Sequence, residues 1–356
     1  MPAISQSRCP VPWASLMLLP DSMGPECVYG SGFILTEQNK TLIDMWNSDP
    51  FVRLRHRHVK GDLPSVCKNC SLNNQGLEYY SQFDITKATQ TKIDNFNLNV
   101  EEFIKGVAVL QSYPVTLSSD MLYKCNFSCK LCHLRLRKQA VIDSHINEFF
   151  GAFSQHALHM HVSGGEPLLD QRFLKYLDSD NHSLKPNISI TTNASLISEE
   201  MLRKFINFPS VNWHISIDSF LPTLFAKLRA GPVGLETILS NINSINKFRN
   251  SLRRINSPTE WSLNFQCLLV TDNIFELPNY IRHAATYSVN EIKVCWPDEN
   301  HPESDLLMFL SKYPLQELKH FFRDWESAHN DCSEIEMTDL WTYRNELKQG
   351  LKIELE

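Results

Sequence analysis

The sequence predicts an α/β protein built from six parallel βα units, preceded by a small cysteine-rich module. Two observations lead there. Six short strand-like runs are separated mostly by stretches with helical spacing of Leu, Ile and Phe, and two groups of cysteines stand one before and one just after the first run. Strands alternating with helices imply a parallel sheet.

Residues 1–72 form the cysteine-rich module. It contains Cys9-Pro10-Val11-Pro12-Trp13, then Cys27, then Cys67-Lys68-Asn69-Cys70. Residues 73–114 read as a connecting segment with a helix over Val100–Val109. The core of residues 115–300 carries strands at Val115–Met121, His159–Val162, Ile188–Thr192, Val211–Asp218, Ser262–Val270 and Glu291–Trp296. Between them, Glu199–Ile206, Leu235–Phe248 and Leu277–Tyr287 show helical spacing. The final segment, residues 301–356, is helical and charged. Its aromatics Phe309, Phe321, Phe322, Trp325 and Trp341 fit a helix closing one edge of the core.

Composition excludes several classes. With 42% apolar and 21% charged residues, the 356-residue chain can bury a substantial core. A net charge of -6 gives no general attraction for nucleic acid or an anionic membrane. No run approaches the roughly 20 apolar residues needed to span a bilayer. The apolar run Ala14–Leu19 is short for a signal peptide and is crowded by Pro10, Pro12 and Pro20. The expected location is cytoplasmic, where disulfides are disfavoured. Seven of the ten cysteines fall at ligand-like spacing, so metal or cluster binding is the better reading.

Cys125-Asn126-Phe127-Ser128-Cys129-Lys130-Leu131-Cys132 is the sharpest motif. Thiolates are the usual ligands of iron–sulfur clusters, and one short loop can wrap a cluster. Three ligands leave one iron of a cubane open, as an open zinc site leaves a catalytic position. A zinc site and chance clustering are the plainer alternatives for this spacing.

The C-x3-C-x2-C loop, followed by Ser163-Gly164-Gly165-Glu166-Pro167 at a strand end, resembles the radical S-adenosylmethionine (SAM) superfamily. That resemblance implies a partial (β/α)6 TIM-like barrel with its site at the carboxyl ends of the strands. It also implies that Cys125, Cys129 and Cys132 hold a [4Fe–4S] cluster, and that Gly164, Gly165, Glu166 and Pro167 meet the amino group of SAM. Glycines permit close backbone approach there, and a carboxylate accepts from an ammonium.

By the same resemblance Asn193, in Thr191-Thr192-Asn193-Ala194-Ser195, lies near the cofactor; a helix cap is the plainer role. Ser216 and Arg229 would meet the carboxylate of SAM. On the fourth strand, His214, Ser216 and Asp218 alternate with Ile215 and Ile217 and should point inward. Asp218 is a candidate proton acceptor or a helix cap. Lys293 and Cys295 should also face inward. An inward thiol is a candidate hydrogen-atom donor, or simply a small core residue. Cys267 should face outward as a small buried hydrophobe, because Asn264 and Gln266 read as the inward set of its strand.

The N-terminal set Cys9, Cys27, Cys67 and Cys70 resembles the SPASM or twitch extensions of the same superfamily, although those usually follow the barrel. Alone, the spacing fits a structural zinc site; beside a radical SAM core it reads as an auxiliary [4Fe–4S] cluster.

The resemblance further implies one-electron cleavage of SAM to a 5′-deoxyadenosyl radical that removes hydrogen from an unactivated carbon. A flavodoxin or ferredoxin would supply the electron. The expected function is a net oxidation of a peptide or small molecule, assisted by the auxiliary cluster. An epimerase using a cysteine hydrogen donor is one alternative, and a non-catalytic electron carrier or scaffold is another.

Overall fold

In the computed structural model the described residues are 8–27, 34–37, 39–63, 65–67, 70, 75–120, 124–132, 143–179, 185–295 and 305–354. Twelve strands occur among them. They are β1 (Ser15–Leu18), β2 (Ser22–Gly24), β3 (Ile34–Leu35), β4 (Thr116–Asp120), β5 (Ser128–Cys129), β6 (His159–Ser163), β7 (Asn187–Thr192), β8 (Ser210–Ser216), β9 (Arg229–Ala230), β10 (Glu260–Leu268), β11 (Glu291–Cys295) and β12 (Glu336–Thr338). The chain divides into two compact units. One comprises Met1–Lys124, Leu136–Ile190 and Lys204–Val211; the other comprises Cys125–Arg135, Thr191–Arg203 and Asn212–Glu356.

In the first unit the strand order is β3-β2-β1-β4-β6-β7. The pairs β1–β4, β4–β6 and β6–β7 are parallel, and β1–β2 and β2–β3 are antiparallel. Leu16, Leu18, Leu117, Met160, Val162, Ile188 and Ile190 are buried. The alternate set is polar apart from Met17 and lies in register. Ser15, Thr116, His159 and Asn187 form one row, and Met17, Ser118, His161 and Ser189 the next. A parallel sheet covered by helices on both faces would be apolar on both. This sheet therefore has one apolar face and one mostly polar face, on which Ser15, Thr116, Ser118 and Ser189 are themselves buried.

The N-terminal segment adds β1 beside β4, an element that the sequence pattern does not announce. Its path is fixed from behind by the helix Asp49–Lys60. Fully buried Arg55 donates to the carbonyls of Pro12 at 2.8 Å, Trp46 at 3.0 Å and Ala108 at 2.9 Å. Its guanidinium lies 4.3 Å above the Trp46 ring. From the helix Gln90–Lys105, Asn99 donates to the Trp13 carbonyl at 2.8 Å, and Trp13 donates to the Val107 carbonyl at 2.7 Å. That helix starts well before the expected Val100 and stops at Gly106.

In the second unit β8, β10, β11 and β12 lie side by side, with β10–β11 and β11–β12 parallel. Burial alternates strictly along β8 and β11, as their sequences predict. The long helix Leu235–Arg254 buries Ile238, Ile242 and Ile245 at helical spacing. The tail packs its helix Leu315–Asp331 against the helix Leu277–Ala285, burying Phe321, Phe322 and Trp325. Its strand β12 then extends the sheet beyond β11. Met121 and Trp296, which end two of the expected strands, lie outside the described residues. Both units are mixed α/β with mostly parallel strands, the elements of a partial TIM-like core; neither sheet closes into a barrel among the described residues.

Among the described residues, no helix is long and apolar enough to cross a membrane.

Candidate active site

The cysteine loop belongs to the second unit and is shaped by its neighbours there. Cys125, Cys129 and Cys132 are all partly exposed. The N–H of Cys132 donates to the Cys129 carbonyl at 3.3 Å, closing a tight turn. Asn193, just past β7, donates from Nδ2 to Cys125 Sγ at 3.7 Å and to Asn126 Oδ1 at 2.9 Å. Its Oδ1 accepts from the Ser195 N–H at 2.9 Å and from the Ser195 hydroxyl at 2.6 Å. Asn126 in turn donates to Ser195 Oγ at 2.8 Å. Asn193 thus pins the loop through Cys125, Asn126 and Ser195.

Cys129 is clamped from the other side. β5 pairs antiparallel with β9, with Cys129 opposite Arg229 and Ser128 opposite Ala230. Lys130 N–H donates to the Leu228 carbonyl at 2.8 Å. The Lys130 and Lys227 ammonium groups share Asp272, at 2.9 and 2.6 Å. Arg229 lies against Asp218, with Nε 2.7 Å from Oδ2 and Nη2 donating to Oδ1 at 3.1 Å. Burial works against the charge of Arg229, yet Asp218 and then Cys129 hold its pKa above the ordinary arginine value. Asp218 Oδ1 also accepts from the Leu268 N–H at 2.8 Å. Asp218 is therefore engaged on several sides. Burial raises the Cys129 thiol, Arg229 lowers it, and Asp218, Cys125 and Cys132 raise it further.

Ser216 ends β8 on the half-buried side. Cys295 ends β11 likewise, and its Sγ accepts from Gln266 Nε2 at 3.2 Å; burial is the main force raising its thiol. Cys267 is buried as expected of an outward residue.

In the first unit, Gly164 follows β6 with φ 107°, a conformation that a side chain would strain. Ser163 donates to Asp120 Oδ1 at 2.6 Å, tying the ends of β6 and β4. Glu166 is fully buried. Its N–H donates to the Lys124 carbonyl at 2.9 Å, and its carboxylate accepts from the Leu168 N–H at 3.2 Å, capping the turn Pro167–Leu169.

The four N-terminal cysteines also belong to the first unit. Burial pushes the Cys9 thiol up to about 12, the Val11 N–H opposes that, and Cys70, Cys27 and Cys67 add to the rise. Mutual repulsion of this kind marks sulfurs that share a neighbourhood, and a bound cation centre reverses it.

Among the described residues, no three His, Cys, Asp or Glu side chains are already drawn together at metal-ligand distance. The fit of a cluster rests instead on donor chemistry and surroundings. The central set offers three thiols from one loop, with an amide and a guanidinium aimed at two of the sulfurs. These features fit an iron–sulfur cluster, which takes thiolate ligands and hydrogen bonds at sulfur. Asn126, Ser195, Gln266 and Asn273, whose Nδ2 donates to the Asp218 carbonyl, are site neighbours that sequence reasoning did not assign. Asn126 and Ser195 lie inside quoted motifs, but nothing in their spacing marks a role.

Residues 121–254 match the family model of the Radical SAM superfamily, a class that works with a [4Fe–4S] cluster and SAM. No curated protein matches the chain. Among solved structures it is similar to Streptococcus suis SuiB bound to the precursor peptide SuiA, at 14% identity and a TM-score of 0.51, covering 98% of this chain and 75% of that one. The likeness to anSMEcpe with bound AdoMet and the Kp18Cys peptide is 15% in identity with a TM-score of 0.46, covering 62% of this chain. This chain spans 63% of the length of that anSMEcpe chain. At such identities the SuiB likeness shows the fold alone.

Proposed function

We propose that the chain is a radical SAM enzyme that removes hydrogen from an unactivated carbon of a peptide, in a net oxidation. The observation that carries the reading is the Cys125, Cys129 and Cys132 loop, with Asn193 and Arg229 directed at its sulfurs. When bound there, the cluster and SAM supply a 5′-deoxyadenosyl radical.

The chain's own residues have distinct parts in this reading. Cys125, Cys129 and Cys132 hold the cluster, leaving one iron position for SAM. The strand-end turn of Gly164, Gly165, Glu166 and Pro167 receives the ammonium of SAM, and Ser216 meets its carboxylate. A peptide is preferred to a small metabolite because SuiB, of similar fold, is bound to a precursor peptide. Cys9, Cys27, Cys67 and Cys70 hold an auxiliary cluster that accepts the electron left on the substrate, and a flavodoxin or ferredoxin reduces the first cluster.

Anaerobic reconstitution tests this. The parent should bind about eight irons and release 5′-deoxyadenosine from SAM under reduction, and Ala at Cys125, Cys129 and Cys132 should leave about four irons and no release. Zinc at the N-terminal set would end the auxiliary-cluster part. Release of 5′-deoxyadenosine by the triple variant would end the whole reading.

A second reading is an epimerase. It is favoured by Cys295, whose thiol burial keeps protonated and Gln266 orients. Turnover in deuterated water with Cys295→Ala beside the parent separates the two. Loss of product with 5′-deoxyadenosine still formed supports the donor role, and an unaffected product removes it.

A further inference from the structure

Arg229 makes a different set of contacts from those of a residue waiting for a carboxylate ligand. Its Nε lies 2.7 Å from Asp218 Oδ2, an ion-pair approach rather than an aligned hydrogen bond, while Nη2 donates to Oδ1. That side-on grip leaves Nη1 to point elsewhere, and it points to Cys129 Sγ at 4.0 Å. The carboxylate is itself fixed. Asp218 Oδ1 accepts from Leu268 N–H, and the Asp218 carbonyl accepts from Asn273 Nδ2 at 2.9 Å. The two side chains are 13% and 7% exposed, so water does little to screen them. The backbone makes the same connection, because Arg229 pairs with Cys129 across β5–β9.

We infer that Arg229, oriented by Asp218, is a positioning residue that donates to the Cys129 sulfur and sets the reduction potential of the cluster on that loop. This rests on the reading that Cys125, Cys129 and Cys132 hold the cluster. Charge and hydrogen bonds at the sulfurs are among the main levers on such potentials. A donor at the thiolate stabilises the more negative, reduced state and so raises the potential. The ion pair makes the prediction signed. Arg229→Gln leaves a buried carboxylate near the cluster and should shift the midpoint negative. Asp218→Asn leaves a buried cation and should shift it positive. Arg229→Lys keeps the charge and should return the midpoint toward that of the parent.

The test is a redox titration of each reconstituted protein followed by the EPR signal of the reduced cluster, with iron counted first. Ala at all three cysteines must remove that cluster; if it does not, the underlying reading fails, separately from this inference. Shifts of opposite sign with rescue by Lys support the assignment. Equal or same-sign shifts overturn it, as does an unchanged midpoint accompanied by weaker SAM binding, which would return Arg229 to the SAM carboxylate. Should the variants not assemble a cluster, the parent decides. Protein grown on guanidino-15N arginine should show nitrogen coupling in pulsed EPR of the reduced cluster, and no coupling overturns the inference.

Discussion

Asn193 concentrates much of the order of the cysteine loop in one amide. It donates to Cys125 Sγ and Asn126 and accepts twice from Ser195, while itself being 7% exposed. Removing such a partner leaves buried groups unsatisfied, which costs about 1–3 kcal/mol each. Asn193→Ala should therefore lower the unfolding free energy of the iron-free protein by about that amount, read from urea unfolding. An unchanged midpoint would show that the loop is held by other means. Glu166→Ala, by contrast, should weaken SAM binding while leaving iron content intact, because the Glu166 carboxylate caps its own turn and is not one of the thiol ligands. Calorimetric titration with SAM reads this, and an unaltered affinity would remove Glu166 from the cofactor site. Asn193 and Glu166 were legible because each follows a strand within a short motif. The Arg229–Asp218 pair was not. Spacing placed both near the site, but only the path from β8 to β9 determines that they face one another.

At the scale of elements, alternation made the central strands legible. His159–Ser163, Ser210–Ser216 and Glu291–Cys295 each carry polar residues on one side and buried apolar ones on the other. The edges were not legible. β1 is the apolar run Ser15–Leu18, which has no alternation to distinguish it from a signal segment or a buried helix turn. β12 is three residues long and held through backbone pairing with β11. The pair β5–β9 is shorter still, yet it braces the cysteine loop, and its tolerance for change is small. A Cβ on Gly231 would lie 2.4 Å from the Phe127 ring, which is packed edge-on to Phe225 with centroids 6.5 Å apart. Gly231→Ala should therefore destabilise the iron-free protein by about 1–3 kcal/mol through overpacking. In a Phe127→Ala background the same change should cost little. A double-mutant cycle measures the coupling, and additive effects would mean that Phe127 swings clear without cost.

The stability of the chain as a whole should depend on pH through two buried bases in the first unit. His58 is 5% exposed and stands edge-on to Trp13. Burial, then Arg57 and Arg8, lowers its pKa from 6.5 to about 4. Lys92 is 3% exposed, donates to the Ala157 carbonyl at 2.7 Å, and is lowered by burial from 10.5 to about 7. Both folded values lie below the unfolded ones, so in each window the unfolded chain binds more protons and stability rises with pH. The His58 contribution is fully present above pH 6.5 and is lost as pH falls from there through about 4. That of Lys92 is present above 10.5 and declines down to about 7, so at neutral pH its cost is nearly complete. At 1.36 kcal/mol per unit, each effect amounts to about 3–5 kcal/mol over its window. Urea unfolding of the iron-free protein from pH 4 to 9 should show a rising midpoint. His58→Gln should flatten the part below pH 6.5, and Lys92→Met should flatten the part from 7 to 9 while raising stability at pH 7. Profiles parallel to the parent in both variants would mean that these bases reach water in the folded state, and would assign the slope to other groups.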